Sequence, residues 1–532
     1  MRLGFVVSLL LCTGMVPIGM VLFFGQNDWG GQRRLLVSSL RGVTHGEEAK
    51  EKLAVVITWV NVSDQRHQTL QQRDTKRTED HHRRFLELDE VRYCIRSIEE
   101  HLNGFSSLVL VSTDFPCETT KKLSGDDVEA QIPVWWNPGM CAGKGSVVPP
   151  STIFKNASHL PTFNSLAIEV NFWNLPLAAD KFVYFNDDMF LGAHMSADDF
   201  FHSSLGYVLR LEDHLATSIR HKKTKQTGEW RSIHHSNVLL TQRFGERKRV
   251  YIAHFPRIFG LSILKEIATL WPQEHLLTSS HRFRGSFSDI HIAFLFAHYL
   301  LEKAREEMLR SYFVYKVDKN LDSVWSYEER MEAVQDLVPS APLPTGMVPR
   351  SSTSGRTNFT WDSSLGYPFV KRQPNDDFFY KANILDRTCF FNVSQACLGD
   401  EWFTESIRMP VELGVVLSRD VACGDCILSI LLAGSKKLSA VLPPESSPMF
   451  AVALAAISRY RYTLGTSHSR FIRFNSQENL SRSLTSFKKR VPTLVCINND
   501  FPADGPKIAS TKALLQSFLG TLFARPSTCE IR

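Results

Sequence analysis

The sequence predicts an α/β protein built on a mostly parallel sheet, and three apolar runs carry that prediction. LAVVITWV (Leu53 to Val60), SSLVLVST (Ser106 to Thr113) and KFVYFNDD (Lys181 to Asp188) are each β-rich and end abruptly in polar residues. Between the first two, LDEVRYCIRSIEEH (Leu88 to His101) places Val91, Ile95 and Ile98 at helical spacing. Strands that alternate with helices assemble as a parallel sheet, and such sheets bind ligands beyond the carboxyl ends of their strands. Near the C-terminus, PTLVCI (Pro492 to Ile497) runs into Asn498-Asn499-Asp500 and then a helical stretch, which repeats the pattern.

Taken in order, the chain opens with Gly4 to Phe24, 21 residues without a charge, the length of a membrane span. A signal anchor (1–24) with a stem (25–52) fits better than a cleaved signal peptide, because no small-x-small site follows the apolar run. The expectation is a single-pass protein of the secretory pathway, in the Golgi membrane, with a lumenal body. Asn61, Asn156, Asn358, Asn392 and Asn479 each head a glycosylation pattern, in keeping with a lumenal body. Of ten cysteines, Cys12 lies in the anchor, so nine remain and at least one is free or intermolecular. In an oxidising lumen, disulfides among Cys389, Cys397, Cys423 and Cys426 are favoured over a zinc or redox role for Cys423-Gly-Asp-Cys426. Gln65 to Glu87 is charged, and reads as a helix or a mobile loop. Ser340 to Asn375 reads as a linker, and the apolar runs between Glu412 and Arg473 must pack somewhere.

Composition is that of a globular protein, 43% hydrophobic and 22% charged. A net charge of +6 does not argue for nucleic acid, and no such partner is expected. Tyr207 to Gly260 holds eleven Lys/Arg against four Asp/Glu, a local +7. This is either a solvated basic face or a wall for an anionic substrate. Asp187 and Asp188 fall where an α/β sheet presents its chemistry. Adjacent carboxylates repel, so a cation such as Mg2+ or Mn2+ would suit them; a turn or helix cap is the plain alternative.

Four separated blocks resemble, in order, the Stealth family of sugar-phosphate transferases, which includes the catalytic subunit of the GlcNAc-1-phosphotransferase. They are VITWVNVSD (Val56 to Asp64); EVRYCIRSIEEH (Glu90 to His101) with FKNASHLPTFNSLAIE (Phe154 to Glu169) and KFVYFNDDMFLG (Lys181 to Gly192); AHFPRIF (Ala253 to Phe259) with TSSHRFRGSFSDIHIAF (Thr278 to Phe294); and CINND (Cys496 to Asp500). The resemblance implies a Rossmann-like (GT-A-like) catalytic domain assembled from discontinuous segments. It implies an enzyme moving a sugar-1-phosphate from a nucleotide-sugar of the UDP-GlcNAc or GDP-mannose type to a hydroxyl of a glycan acceptor. It also implies metal ligation by Asp187, Asp188, Asp289 and Asp500, and a donor site lined by Trp59, Asn61, Asp64, Asn164 and Asn237. Asn61 cannot both carry a glycan and line that pocket.

Chemistry assigns Arg92 and Arg284 to phosphate, which a guanidinium grips at two points, and His254 to deprotonating the acceptor. The plainer readings are an ion pair of Arg92 with Asp89 or Glu99, and a satisfied core histidine. Two departures stand out: Arg257 where a relative has histidine, and Asn499 where aspartate is usual, with Asp500 one residue on. The Notch-like repeats of the lysosomal-enzyme transferase are missing, which favours a glycan over a protein acceptor. Asp318, Asn320, Asp322, Val324, Ser326 and Glu329 sit at the ligand positions of an EF-hand-like calcium loop, with Ser323 in place of glycine. The expected organisation is a main catalytic domain (53–310), an EF-hand-like unit (311–340), an inserted region that either meets the acceptor or braces the fold (341–490), and a C-terminal segment completing the catalytic domain (491–532). Rival readings are a GT-A glycosyltransferase forming a glycoside and an inactive glycan-binding subunit; a homo-oligomer is left open.

Overall fold

The computed structural model describes residues 53–74, 87–116, 128–137, 141, 143–203, 205–217, 228–246, 249–337, 397–411, 421–433, 438–465, 469–485, 487, 491–500 and 507–531. The anchor and stem, Asn358, Asn392, Cys389 and the linker lie outside them. Among the described residues no helix is long and apolar enough to cross a membrane.

The predicted strands form where the β-branched runs place them. β1 (Ala54–Trp59) is followed by a short helix, Gln65–Asp74, and then by α1 (Glu90–His101), β2 (Ser107–Ser112), β3 (Gly145–Val148) and β4 (Lys181–Asn186). The four strands are parallel, and β1 is buried along almost its whole length. Burial on both faces is what a continuous apolar run rather than an alternating one encodes. A tight turn at Asp187-Asp188 leads into β5 (Met189–Leu191), and later come α2 (Glu229–Phe244) and β6 (Arg257–Gly260). β6 runs antiparallel on β4, closing the sheet in the order β6-β4-β1-β2-β3. The register sets Thr58 against Asn186, Trp59 against Ser112, and Arg257 against Tyr184. The carboxyl ends of β1, β2 and β4 and the start of β6 therefore share one sheet edge.

α3 (Ile292–Arg310) is buried along nearly its entire length, so its polar side chains are paired inside the fold. Arg249 and Glu302, 0% and 1% exposed, form an ion pair at 2.8 Å, and Arg305 pairs with Asp425 from the inserted region. Arg249 also donates to Asn237 Oδ1 at 2.9 Å. Removing one partner of such a pair strands a buried charge at a cost of about 3–5 kcal/mol. Glu302→Gln is expected to lower the urea midpoint accordingly. An unchanged midpoint would mean that Asn237, Thr241 and the Gly245 carbonyl hold Arg249 unaided.

After α3 the EF-hand-like loop leads into α4 (Tyr327–Asp336), as the helical EERMEAVQDLV predicts. Ser323 takes a left-handed φ of 68°, the turn for which glycine is usual. Asp318 accepts the amides of Asp322 and Ser323, and Glu329 those of Lys319 and Ser326. Val324–Trp325 pairs with Met409–Pro410. From the inserted region, β7 (Ser469–Phe474) runs parallel to β8 (Leu494–Asn499), which is antiparallel to β5. The fourth block thus reaches the Asp187-Asp188 turn through a second, three-stranded sheet. α5 (Ile508–Leu522) follows, and Lys512 and Gln516 donate to the carbonyls of Glu87 and Leu88.

Disulfides join Cys397 to Cys423 and Cys141 to Cys529. The first falls within the expected set; the second, 388 residues apart in sequence, ties the C-terminus to the sheet. Cys94 and Cys496 are free and buried.

Candidate active site

Asp188 is the centre of the arrangement. Its Oδ2 accepts from Cys496 Sγ and from Asn498 Nδ2, both at 3.4 Å, while the backbone amide of Ile497 donates to its carbonyl. Its Oδ1 is buried without a hydrogen-bond partner, as is Asn186 Oδ1 two residues earlier. Ligating atoms of Asp188, His254 and Cys496 lie within 4.8 Å of one another, the one such trio among the described residues. Two orphaned oxygens at a strand end fit a hard divalent cation, because an unpaired buried acceptor is costly without one.

Asp187 faces the other way, toward α1. Burial, then the adjacent Asp188 and Glu87, push its carboxyl well above the usual range. Glu90 is raised likewise by burial, then by Asp187 and Glu87, and its carboxylate side accepts the Leu88 amide. Glu90 and Cys94, one helical turn apart, thus present α1 to the acidic turn. Glu87 in turn accepts from Trp59 Nε1 at 3.1 Å, which puts Trp59 at the rim of this acidic group.

His254 stands on the opposite side of Asp188. Burial lowers its pKa, Asp188 and Glu229 oppose that, and Arg257 and His291 add to it. Arg257 Nη2 approaches Nδ1 at 3.4 Å, too long to occupy the lone pair firmly. Behind it, Glu229 Oε1 accepts from His291 Nε2 at 2.7 Å and from Tyr251 at 3.2 Å. His291 Nδ1 accepts the Phe294 amide at the start of α3, so the proton sits on Nε2. Burial works against ionising Glu229, yet the His291 hydrogen bond and the charges of His291, His254 and Arg284 hold its pKa below the ordinary range. Arg284, exposed in the loop before α3, adds its charge to this flank.

Other assigned residues are placed elsewhere. Arg92 pairs with Glu530 at 2.9 Å and Asp89 at 3.6 Å and lies over Trp135, because two residues from Glu90 it sits on another face of α1. Asn164 is fully buried, capping the helix Ser165–Glu169 and donating to the His281 carbonyl. Asn237 is buried against Arg249. Asp289 bonds His281 at 2.6 Å, and Asp500 is held by Arg473 at 2.7 Å, so neither joins the trio at Asp188. Asn61 and Asp64 are engaged by Gln131 in the turn after β1, and the hydrogen bond from Arg66 holds Asp64 down at about 2. Of the glycosylation acceptors, Asn156 is exposed and Asn479 lies half-buried in the helix Gln477–Thr485. Cys496, Asn498, Glu229 and His291 carried no functional reading in the sequence. Only the position of Cys496, Asn498 and His291 inside quoted blocks could have flagged them, and Glu229 lies in none.

An α/β sheet thus gathers a carboxylate, an imidazole and cationic side chains at one edge. Residues 128–208 match Stealth protein CR2, conserved region 2, and residues 253–302 match Stealth protein CR3, conserved region 3. Through these two regions, which carry Asp187, Asp188, His254, Arg284 and His291, the chain is similar to the Stealth family. It is 30% identical over 162 residues to a 3-O-alpha-D-mannopyranosyl-alpha-D-mannopyranose xylosylphosphotransferase of Cryptococcus neoformans var. neoformans, covering 29% of this chain and 19% of that protein. It is 29% identical over 264 residues to an exopolysaccharide phosphotransferase of Streptomyces coelicolor, covering 48% and 40%. A capsular polysaccharide phosphotransferase of Neisseria meningitidis serogroup A is 27% identical over 276 residues, covering 50% and 46%. The chain thus spans less than half the length of each of these relatives.

Proposed function

We propose that this protein transfers a sugar-1-phosphate from a nucleotide-sugar to a hydroxyl of a glycan, leaving a phosphodiester and releasing a nucleoside monophosphate. The observation that carries the reading is the meeting of separated segments at Asp188: the β4 turn, His254 before β6, and Cys496 and Asn498 on β8. A bond forms between the acceptor oxygen and the sugar-bearing phosphorus, and the bond from that phosphorus to the nucleotide's phosphate breaks. His254 takes the hydroxyl proton; burial keeps the ring neutral, and so able to accept it, at neutral pH. Arg284 and Arg257 offer positive charge to the phosphates, and Glu229 with His291 holds that flank in place. Asp188 and Asn186 would hold Mg2+ or Mn2+, which when bound neutralises charge on the diphosphate.

The names of the relatives point to polysaccharide acceptors, and a mannose disaccharide is the first to try. The test incubates the full chain with UDP- and GDP-sugars, divalent metal and a glycan panel, and identifies the released nucleotide by mass. UMP or GMP that depends on acceptor supports the proposal. UDP or GDP would make the protein a glycosyltransferase forming glycosides, and no release across the panel would leave the reading as an inactive glycan-binding subunit standing.

A further inference from the structure

The inserted region delivers one residue to this site that no block includes. In the second half of β7, Ile472 and Phe474 are buried at 4% and 0%, whereas Phe471, facing the other way, is 46% exposed. In the register of the second sheet Phe471 lies beside Cys496, whose thiol donates to Asp188, and Cys496 lies beside Met189. Side chains directly opposite across a sheet share a face, so Phe471 stands on the face that carries the Asp188 contact. Its ring lies 5.8 Å from the His254 ring and nearly perpendicular to it, at 78°. Arg473, the next residue on that face, is exposed and held by Asp500. A large aromatic left half in water next to the base is unusual for a position serving only the core.

We propose that Phe471 is the floor of an acceptor subsite, where the C–H face of a pyranose ring stacks and brings its hydroxyl to His254. This rests on the reading of the site as a glycan-directed transferase and gives the inserted region a role in it. An exposed phenyl ring offers apolar surface that water solvates poorly, and a pyranose face covers it without having to satisfy a buried polar group. The donor is held by the charged flank, so Phe471 is a positioning residue for the acceptor alone.

The experiment compares the full-length protein with Phe471→Ala and Phe471→Trp. Phe471→Ala is expected to raise the acceptor KM roughly tenfold, the amount that covering half a phenyl ring contributes. Donor KM stays at its parent value, and Phe471→Trp restores the acceptor KM. A fall in kcat with unchanged acceptor KM would show that Phe471 merely props His254, and would overturn the subsite. Binding of mannose, glucose and N-acetylglucosamine disaccharides is followed separately by saturation-transfer NMR, which needs no turnover. Signals lost in Phe471→Ala support the subsite even if the parent releases no nucleotide; absence of disaccharide binding by the parent overturns it even if nucleotide is released.

Discussion

Asp188→Asn lowers transfer by about a thousandfold or more, the scale on which a charged group at a reacting phosphate acts, and leaves the thermal midpoint close to that of the parent. The substitution is isosteric. The new side-chain oxygen can still accept from Cys496 and Asn498, so the contacts that fix β8 beside β5 survive. What changes is the other atom. Asp188 Oδ1, buried and without a partner, becomes an NH2 group that repels a cation instead of ligating it. Transfer rate and thermal unfolding measured side by side separate the two effects. Full activity would remove Asp188 from the centre; a collapsed midpoint would reduce it to a bracket between sheets. Asp187→Asn is the control, since burial already favours the neutral form of that carboxyl and the amide changes its charge least. The two adjacent carboxyls are thus not equivalent: one faces α1, the other faces His254.

The sheet and the convergence of the blocks on its edge were readable because apolar runs that stop at polar residues encode buried parallel strands. α1 was readable from the helical spacing of Val91, Ile95 and Ile98, and all three are buried. The faces of α1 were harder: Glu90 and Cys94, not Arg92, turn to the acidic group, and a charged residue two positions from a buried one must point elsewhere. Asn164 and Asn237 show a different difficulty. A buried asparagine satisfied by the His281 carbonyl or by Arg249 looks, in one dimension, like an asparagine in a site. Asp500 and Asp289 meet Arg473 and His281, partners that only the folded register fixes. The role of β7 was invisible for that reason too: its pairing with β8 is non-local, and the strand carries no motif.

His254→Ala is expected to lower the transfer rate by about 10²–10⁴, the range for a lost general base, with donor KM changed far less. Among the described residues, neither ring nitrogen of His254 is tied down by a short hydrogen bond to a protein group; the contact with Arg257 is 3.4 Å long. A core histidine satisfied by its neighbours would show the opposite, as His159 does by bonding Asn156 at 3.0 Å and Ser279 at 2.9 Å. The pH profile gives the sharper test. Burial, helped by Arg257 and His291, lowers the pKa of His254 below its ordinary value of 6.5, so the base form dominates at neutral pH. The parent rate should therefore hold level down through the usual imidazole range and fall only at lower pH, as the ring takes up its proton. In His254→Ala that acidic limb disappears and the residual rate follows hydroxide instead. A variant that loses rate and donor binding equally, and keeps the acidic limb, would assign the proton to another group and leave His254 with a structural part beside Phe471.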